Sequence, residues 1–395
     1  MRPQRCPISI ICVFNDARVR QQCLDSSIER HRSEVQDLDY VLIDNRDGAF
    51  PSAGAAFNAS ARRARHDHLV FVHQDVVLHS LAALERAAFA LEADHRIGLA
   101  GAIGMDRGGR LVGRVRDRGV LLGERTDQPV DVDAVDEVLF IVPRRVFEHE
   151  PLSEEPTLAW HAYAVEYGLR LRQDGLRVCV VDVPLTHNSL SINTRNLEAA
   201  HAQLARAYPN ALPVRTPTCR ITRRSAFPRR GGLILQHGWR VRWLRESVAA
   251  YVGRGALKGA RCVLGDIRWC IDDVLAEGAA PLLIVNVDRD GTFFDDEPDP
   301  LVLKRLEYEF SVTSGAPETA VGSIRSAAQD ANVLVSGLSA RDLRSYAPHL
   351  WNRRALLGFR REIGYWLLVG PIAAQAATRL RSQRSTPVGM GWGAT

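Results

Sequence analysis

Asp75 closes the run Val70-Phe71-Val72-His73-Gln74-Asp75, and a carboxylate just past an apolar strand offers the hard oxygen that magnesium or manganese prefers. His187, in Pro184-Leu185-Thr186-His187, is a candidate second ligand. Asp44 ends the run Tyr40 to Asp44 and can accept hydrogen bonds from a base or ribose, while Asn15 ends the neighbouring run from Ile8. Glu166 is placed to deprotonate a hydroxyl, and Trp160, His161 and Tyr163 before it offer aromatic faces that suit a sugar's C–H surface. A nucleotide pocket, a cation for a diphosphate and a base for a hydroxyl together serve group transfer from a nucleoside diphosphate. Each residue also has a plain structural reading. A strand-terminal Asp caps turns, His73 is a satisfied structural histidine, the aromatics are packing, and Glu166 pairs with Arg170 at i+4 for ~0.3 to 0.5 kcal/mol.

The elements that must position these groups alternate short β-branched runs with helical stretches, the pattern of an α/β domain with a mainly parallel sheet. Strands are expected at Ile8 to Phe14, Tyr40 to Asp44, Leu69 to Val72, Ile97 to Ile103, Glu137 to Val142 and Val178 to Asp182. Helices are expected over Ala17 to His31, Ala53 to Arg65, Ser80 to Ala93 and Ala162 to Gln173. Asn15, Asp44 and Asp75 then lie where strands stop, along the edge where open α/β sheets bind ligands. No GxGxxG fingerprint follows the first strand, which argues against a nicotinamide or flavin domain.

At 395 residues the chain is long enough for two domains. Its net charge of +5 is spread among almost as many acids as bases, so a nucleic-acid partner is not indicated. Seven cysteines without CxxC spacing read as reduced core thiols, and no signal peptide is visible, so the expected location is cytoplasmic.

The ordered set ISIICVFND, YVLIDNRDG, AGAAFNASARRARHDHLVFVHQDV, VDEVLFIVPRRVFE, AWHAYAVEYGLRLRQDG and PLTHNS resembles the family-two glycosyltransferases of GT-A fold. It looks closest to the branch related to streptomycin-biosynthesis proteins, in which His-Gln-Asp stands for the usual Asp-x-Asp, and it covers about residues 7 to 208. The resemblance implies a nucleoside-diphosphate-sugar donor, a hydroxyl acceptor, inversion of configuration and a divalent cation, Mg or Mn. It implies Asp44 at the nucleotide base, Asn58 in the helix leading to the metal motif, Asp75 and His187 at the metal, His73 in the donor pocket and Glu166 as general base. His73 replaces an acid, which weakens the cation site's charge, and Glu166 stands alone where many relatives have two adjacent acids. A rival reading is therefore a glycosyltransferase-like binding or scaffolding protein with weakened catalysis. A sugar nucleotidyltransferase or epimerase is disfavoured by the lack of a glycine-rich triphosphate loop and of a Tyr-x-x-x-Lys pair.

Beyond a GT-A domain over 1–208 and an irregular connector over 209–240, residues 241–395 read as a smaller α/β domain. Strands are expected there at Cys262 to Leu264, Leu282 to Val287, Phe310 to Val312 and Val333 to Val335, with a helix over Trp239 to Val252. Asn286 to Gly291 with Glu297 imitates a calcium loop, and Asp288 to Thr292 a phosphatase motif; a strand ending in an Asp-Gly turn is the simpler reading. The apolar stretch Gly364 to Ala377, flanked by Arg360, Arg361, Arg379 and Arg381, is too short to span a bilayer and reads as a buried terminal helix, with peripheral contact to an anionic membrane as the alternative.

Overall fold

The computed structural model describes residues 4–189, 196–223, 230–271, 274–275, 281–289, 293–294, 301–305, 308–326, 331–350 and 354–382. The chain divides into two compact units, the first comprising Met1–Val115, Gly123–His187 and Thr194–Phe227, the second Arg116–Leu122, Asn188–Asn193 and Pro228–Thr395.

In the first unit β1 (Ile8–Phe14) is an almost wholly buried run of β-branched and apolar residues, as a strand covered on both faces requires. It lies between β2 (Leu38–Asp44) and β3 (His68–Val72), parallel to both. The short β4 (Val76–Leu78) follows; β5 (Ile97–Gly101), β6 (Val130–Asp131), β7 (Leu139–Pro143) and β8 (Arg177–Val180) complete a sheet of order β6-β8-β5-β7-β3-β1-β2. The sheet is mixed rather than parallel throughout, since β7 runs antiparallel to β3 and β5. Outside it, β9 (Leu185–His187) pairs antiparallel with β4, placing His187 opposite Val76.

Helix α1 starts at Ala17, where Asp16 accepts from the N–H groups of Arg18 and Val19, passes through a π-turn at Gln21–Asp25 and ends at His31. Ser52 caps α2 (Ala53–Ala61) and Ser80 caps α3 (Leu81–Ala93). α2 stops short of the expected Arg65 because Arg144 captures the carbonyls of Ala64 (2.8 Å) and His66 (2.7 Å) just beyond it. α4 (Tyr163–Gln173) packs on the same face as α2, and an aromatic cluster of Phe57, Phe71, Phe140, Phe147 and Tyr163 locks β3, β7, α2 and α4 together. Each buried ring contributes roughly 1.5 to 3 kcal/mol of hydrophobic stabilisation, so the carboxyl end of β3 is rigidly founded. α5 (Leu197–Ala207) lies at the end of the span read as the GT-A domain, and a small hairpin, Val214–Arg215 with Arg220–Ile221, occupies part of the 209–240 connector expected to be irregular.

The second unit holds β10 (Ala260–Leu264), β11 (Leu282–Val287), β12 (Leu301–Arg305), β13 (Tyr308–Gly315), β14 (Asn332–Leu338), β15 (Ala355–Arg360) and β16 (Gly364–Val369), in the order β10-β15-β16-β14-β11-β13-β12. All are parallel except β12 and β16. Helices α6 (Arg230–Val252), α7 (Pro317–Ser326) and α8 (Leu343–Leu350) share one hydrophobic cluster with the sheet, and α6 begins inside the expected connector. The apolar run from Gly364 is corrected: its first part is β16, an interior strand, and only Ala373–Ser382 is the terminal helix α9. Trp366 explains the burial, for its ring lies against Gly358, where a Cβ would come within 2.0 Å, and its indole N–H donates to the Gly265 carbonyl at 2.8 Å. Among the described residues no helix is long and apolar enough to cross a membrane. The remainder of the calcium-loop imitation, Asp290, Gly291, Thr292 and Glu297, lies outside the described residues.

Residues 116–122 form a hairpin around Arg118 and Gly119, both at positive φ, as a tight two-residue turn demands. Asn286 at the end of β11 fixes it: its Nδ2 donates to the Gly119 carbonyl (2.9 Å), and its Oδ1 accepts from the Leu121 N–H (3.1 Å) and the Ser336 hydroxyl (2.6 Å). Gly119 lies so close to Ile284 and Phe310 that a side chain there would collide.

Candidate active site

The fully buried β3 delivers His73-Gln74-Asp75 at its carboxyl end, between the ends of β1 and β7. The His73 N–H donates to the Val138 carbonyl at 3.1 Å, which ties the turn to the start of β7. Gln74 reaches the other way. Its Oε1 accepts from the N–H groups of Asn15 (2.9 Å) and Asp16 (3.0 Å), and its Nε2 donates to Asn15 Oδ1 (2.7 Å). Asn15 is thus at the expected edge, with its side-chain oxygen engaged by Gln74.

Asp75 faces His187, with Oδ1 3.4 Å from Nε2, and the His73 and His187 rings lie 5.7 Å apart. One potential ligand atom from each of His73, Asp75 and His187 falls within 4.8 Å of the others. The structure therefore unites the two expected metal ligands and adds His73 to them. Burial raises the Asp75 carboxyl, but the charge of His187 and its hydrogen bond outweigh it and hold it down at about 2. Burial also lowers His73, keeping the imidazole in the neutral form that ligates metals. Two imidazoles and an ionised carboxylate make a coherent donor set for a divalent ion. It is softer than a pair of carboxylates.

Asp44 ends β2 level with Phe14 in β1, exposed, and chelates Arg46 at 2.6 and 3.0 Å. Hydrogen bonding to the Arg46 side chain, chiefly, holds its carboxyl at about 2. Asn58 is engaged elsewhere: its amide exchanges hydrogen bonds with the backbone of Leu152 (3.0 and 2.9 Å) and donates to Glu154 (2.9 Å). With Gly54, where a Cβ would meet the Ser153 carbonyl at 2.0 Å, it clamps the 152–159 segment onto α2.

That segment leads into the aromatic wall. Ala159 and Ala162 are both left-handed, a conformation that costs a non-glycine residue about 1 kcal/mol or more, and Trp160 and His161 project between them. Trp160 is 39% exposed, whereas Tyr163 is buried and its hydroxyl lies 3.1 Å from His73 Nε2. Tyr163 is therefore a neighbour of the His73, Asp75 and His187 cluster, and Trp160 alone of the three aromatics is strongly exposed.

Glu166 is buried in α4 and turned to Arg170, 3.2 Å away, and to the Tyr208 hydroxyl, which donates to it at 2.5 Å. Arg170 in turn holds Glu150 and the Pro151 carbonyl, so Glu166 belongs to a network that fixes α4 to neighbouring loops. None of its contacts is with His73, Asp75 or His187. The Arg170 pair is visible in the sequence at i+4, but the partnership with Tyr208 is not.

Sequence reasoning passed over Gln74 and the adjacent acids Asp136 and Glu137. Gln74 is the middle of a motif read for its ends, and Glu137 opens the segment read as a strand over Glu137 to Val142, with Asp136 just before it. Asp136 helps to raise His73, and Asp136 and Glu137 both act on Tyr163. Burial, reinforced by Asp136, raises the Glu137 carboxyl to about 8 against the pull of the N–H groups of Ala162, Tyr163 and Ala164.

The family described as "Glycosyltransferase like family" matches residues 9–208, half of the chain. Comparison with curated proteins gives no match. Among solved structures the chain is similar to GalNAc-T7 with UDP, GalNAc and Mn2+, at 16% identity over 46% of this chain and 44% of that one, with a TM-score of 0.34. It is also similar to the mannosyltransferase PcManGT from Pyrobaculum calidifontis in complex with GDP-Man and Mn2+ (15% identity, 46% and 58% covered, TM-score 0.30). A third similarity is to S. aureus TarS (12% identity, 50% and 39% covered, TM-score 0.36). In each case less than two thirds of the other chain is covered.

Proposed function

Because the chain belongs to this glycosyltransferase-like family, we propose that it moves a sugar from a nucleoside-diphosphate donor to an acceptor hydroxyl, with inversion at the anomeric carbon. The observation that carries the reading is the gathering of His73, Asp75 and His187 at the end of β3, in the sheet edge that also bears Asn15 and Asp44.

Asp44 and the Arg46 guanidinium it orients are exposed polar groups suited to a base and ribose. Gln74 fixes the turn after β1 so that this side of the pocket keeps its shape. His73, Asp75 and His187 would hold the divalent ion, which supplies positive charge to a departing diphosphate. Tyr163 orients His73 through its hydrogen bond, as a ligating histidine's partner does. Trp160 offers the acceptor or donor sugar an open aromatic face.

Asp75→Ala tests the reading. It should reduce sugar transfer or donor hydrolysis at least 100-fold and abolish the Mn2+ dependence of UDP or GDP binding measured by calorimetry. Unchanged turnover would rule this site out. The engagement of Glu166 with Arg170 and Tyr208 favours, as second reading, a donor-binding protein with weakened catalysis. Tight donor binding without hydrolysis or transfer across donor and acceptor panels would select it.

A further inference from the structure

In the first unit the turn 106–110, the short strand β6, the start of β8 and Arg172 near the end of α4 line an open cavity of about 430 Å3. β8 runs parallel to β5, and β5 and β3 both run against β7. Arg177, the first residue of β8, therefore lies at the sheet edge opposite the one that carries Asp75. The cavity is separate from the candidate active site. Four guanidinium groups line it, from Arg107, Arg110, Arg172 and Arg177, against the carboxylates of Asp106 and Asp131.

Both carboxylates are already engaged. Asp106 accepts from the Arg110 N–H at 2.8 Å and from Arg110 Nε at 2.8 Å. Asp131 accepts from Arg177 Nε at 3.0 Å, and the same guanidinium also donates to Asp94 at 2.6 Å. Arg107 and Arg172 are the surplus. The Arg107 side chain is 90% exposed, and the acid it faces, Asp133, is 3.8 Å away and already accepts from Arg215 at 3.0 Å. Arg172 is half-buried and, among the described residues, has no carboxylate at ion-pairing distance; its guanidinium donates to the neutral carbonyl of Val132. Burial lowers Arg172, and the more distant charges of Asp133 and Asp131 offset this only in part. A partly desolvated cation without a counter-ion is costly, and guanidinium forks around an open cavity suit an oxyanion. The volume lies in the range of small-molecule sites, larger than a bare ion fills.

We propose that this cavity is a second ligand site, which holds the phosphate group of a small soluble phosphate ester on Arg172 and Arg107. A phosphate monoester carries about two negative charges at neutral pH and so balances both surplus cations, whereas a carboxylate leaves one of them uncompensated. Arg110 and Arg177, held by their own carboxylates, shape the walls.

The test titrates inorganic phosphate into the full chain by calorimetry, at neutral pH, fixed ionic strength and with EDTA present, so that neither general screening nor a metal ion accounts for the heat. Saturable binding is expected in the wild type, weakened about tenfold or more in Arg172→Gln and in Arg107→Glu. UDP affinity in Mn2+, measured on the same proteins, should stay within about threefold of wild type, since the donor edge is untouched. Should Arg172→Gln fail to fold, Arg107→Glu, at an exposed side chain, still decides: lost phosphate binding supports the site, and wild-type affinity overturns it. Absence of saturable binding in the wild type overturns it as well. Glycerol 3-phosphate and vesicles containing phosphatidic acid then separate the possible sources of the phosphate. Competition between glycerol 3-phosphate and inorganic phosphate supports a soluble ester, whereas Arg107-dependent binding to the vesicles without any binding of glycerol 3-phosphate overturns that assignment.

Discussion

Replacing Gln74 by methionine keeps the side chain's length and removes its three hydrogen bonds at once. Two of these bonds, at 2.9 and 3.0 Å, satisfy the N–H groups of Asn15 and Asp16, and the third, at 2.7 Å, holds the Asn15 side chain. The partners are exposed, so water replaces part of what is lost and each bond is valued at the lower end, about 0.5 kcal/mol. The sum, about 1.5 kcal/mol, corresponds to a fall in melting temperature of roughly 3 to 6 °C for a unit of this size. The larger effect should be on binding. The turn after β1 would be released from the end of β3, and Asp16, which caps α1, would lose its fixed position. We expect UDP affinity to fall about tenfold, equivalent to about 1.4 kcal/mol, by calorimetry in the presence of Mn2+. Gln74→Glu, which keeps the accepting oxygen but not the donor, should shift the melting temperature less. A Gln74→Met protein with wild-type melting temperature and UDP affinity would refute the idea that this amide couples the two strand ends.

Three further outcomes are expected. His73→Asp, which trades an imidazole for a carboxylate, should move the Mg2+ to Mn2+ affinity ratio about tenfold toward magnesium in metal titrations, and an unchanged ratio would count against His73 as a ligand. Asn286→Ala should destabilise the second unit by about 3 kcal/mol in urea denaturation, because it orphans the Leu121 N–H, the Gly119 carbonyl and the Ser336 hydroxyl; a loss under about 1 kcal/mol would contradict the buried hydrogen-bond set. Burial, aided by the charge of His161, holds His201 down at about 4, so the unfolded chain takes up a proton below its ordinary 6.5 before the folded one does. Stability is then full above pH 6.5 and declines between 6.5 and 4, by about 2 kcal/mol at pH 5, a slope that His201→Gln should flatten in denaturant titrations at pH 7.5 and 5.

The strands of the first unit were legible because runs such as Ile8 to Phe14 are apolar on both faces and end in polar residues. Their direction was not. Leu139–Pro143 has the same composition as its parallel neighbours yet runs against them, and only long-range pairing distinguishes the two cases. Gly364 to Ala377 is apolar without a clear period, so strand and helix could not be told apart; burial of Trp366 against Gly358 decides for the strand in its first half. In the site, Asp75 and His187 were marked by position in ordered motifs, and the structure brings them together with His73. The linkage of Gln74 to Asn15 spans 59 residues, and that of Tyr208 to Glu166 spans 42, distances over which no local spacing rule operates. Glu137 was hidden for a related reason, since the helix turn it faces begins at Ala162 in a separate motif.

The hairpin at 116–122 has a consequence for how the protein is made. Its anchor, Asn286, follows Gly119 by 167 residues and Leu121 by 165. At 5 to 20 residues per second, a ribosome takes roughly 8 to 33 s to deliver that anchor. Val120 and Leu122, buried in the finished protein, wait through that interval without the anchor that fixes their turn. Early folding of the N-terminal strands therefore has to proceed around an open loop, and closing it is a late, entropically costly event in the life of the nascent chain.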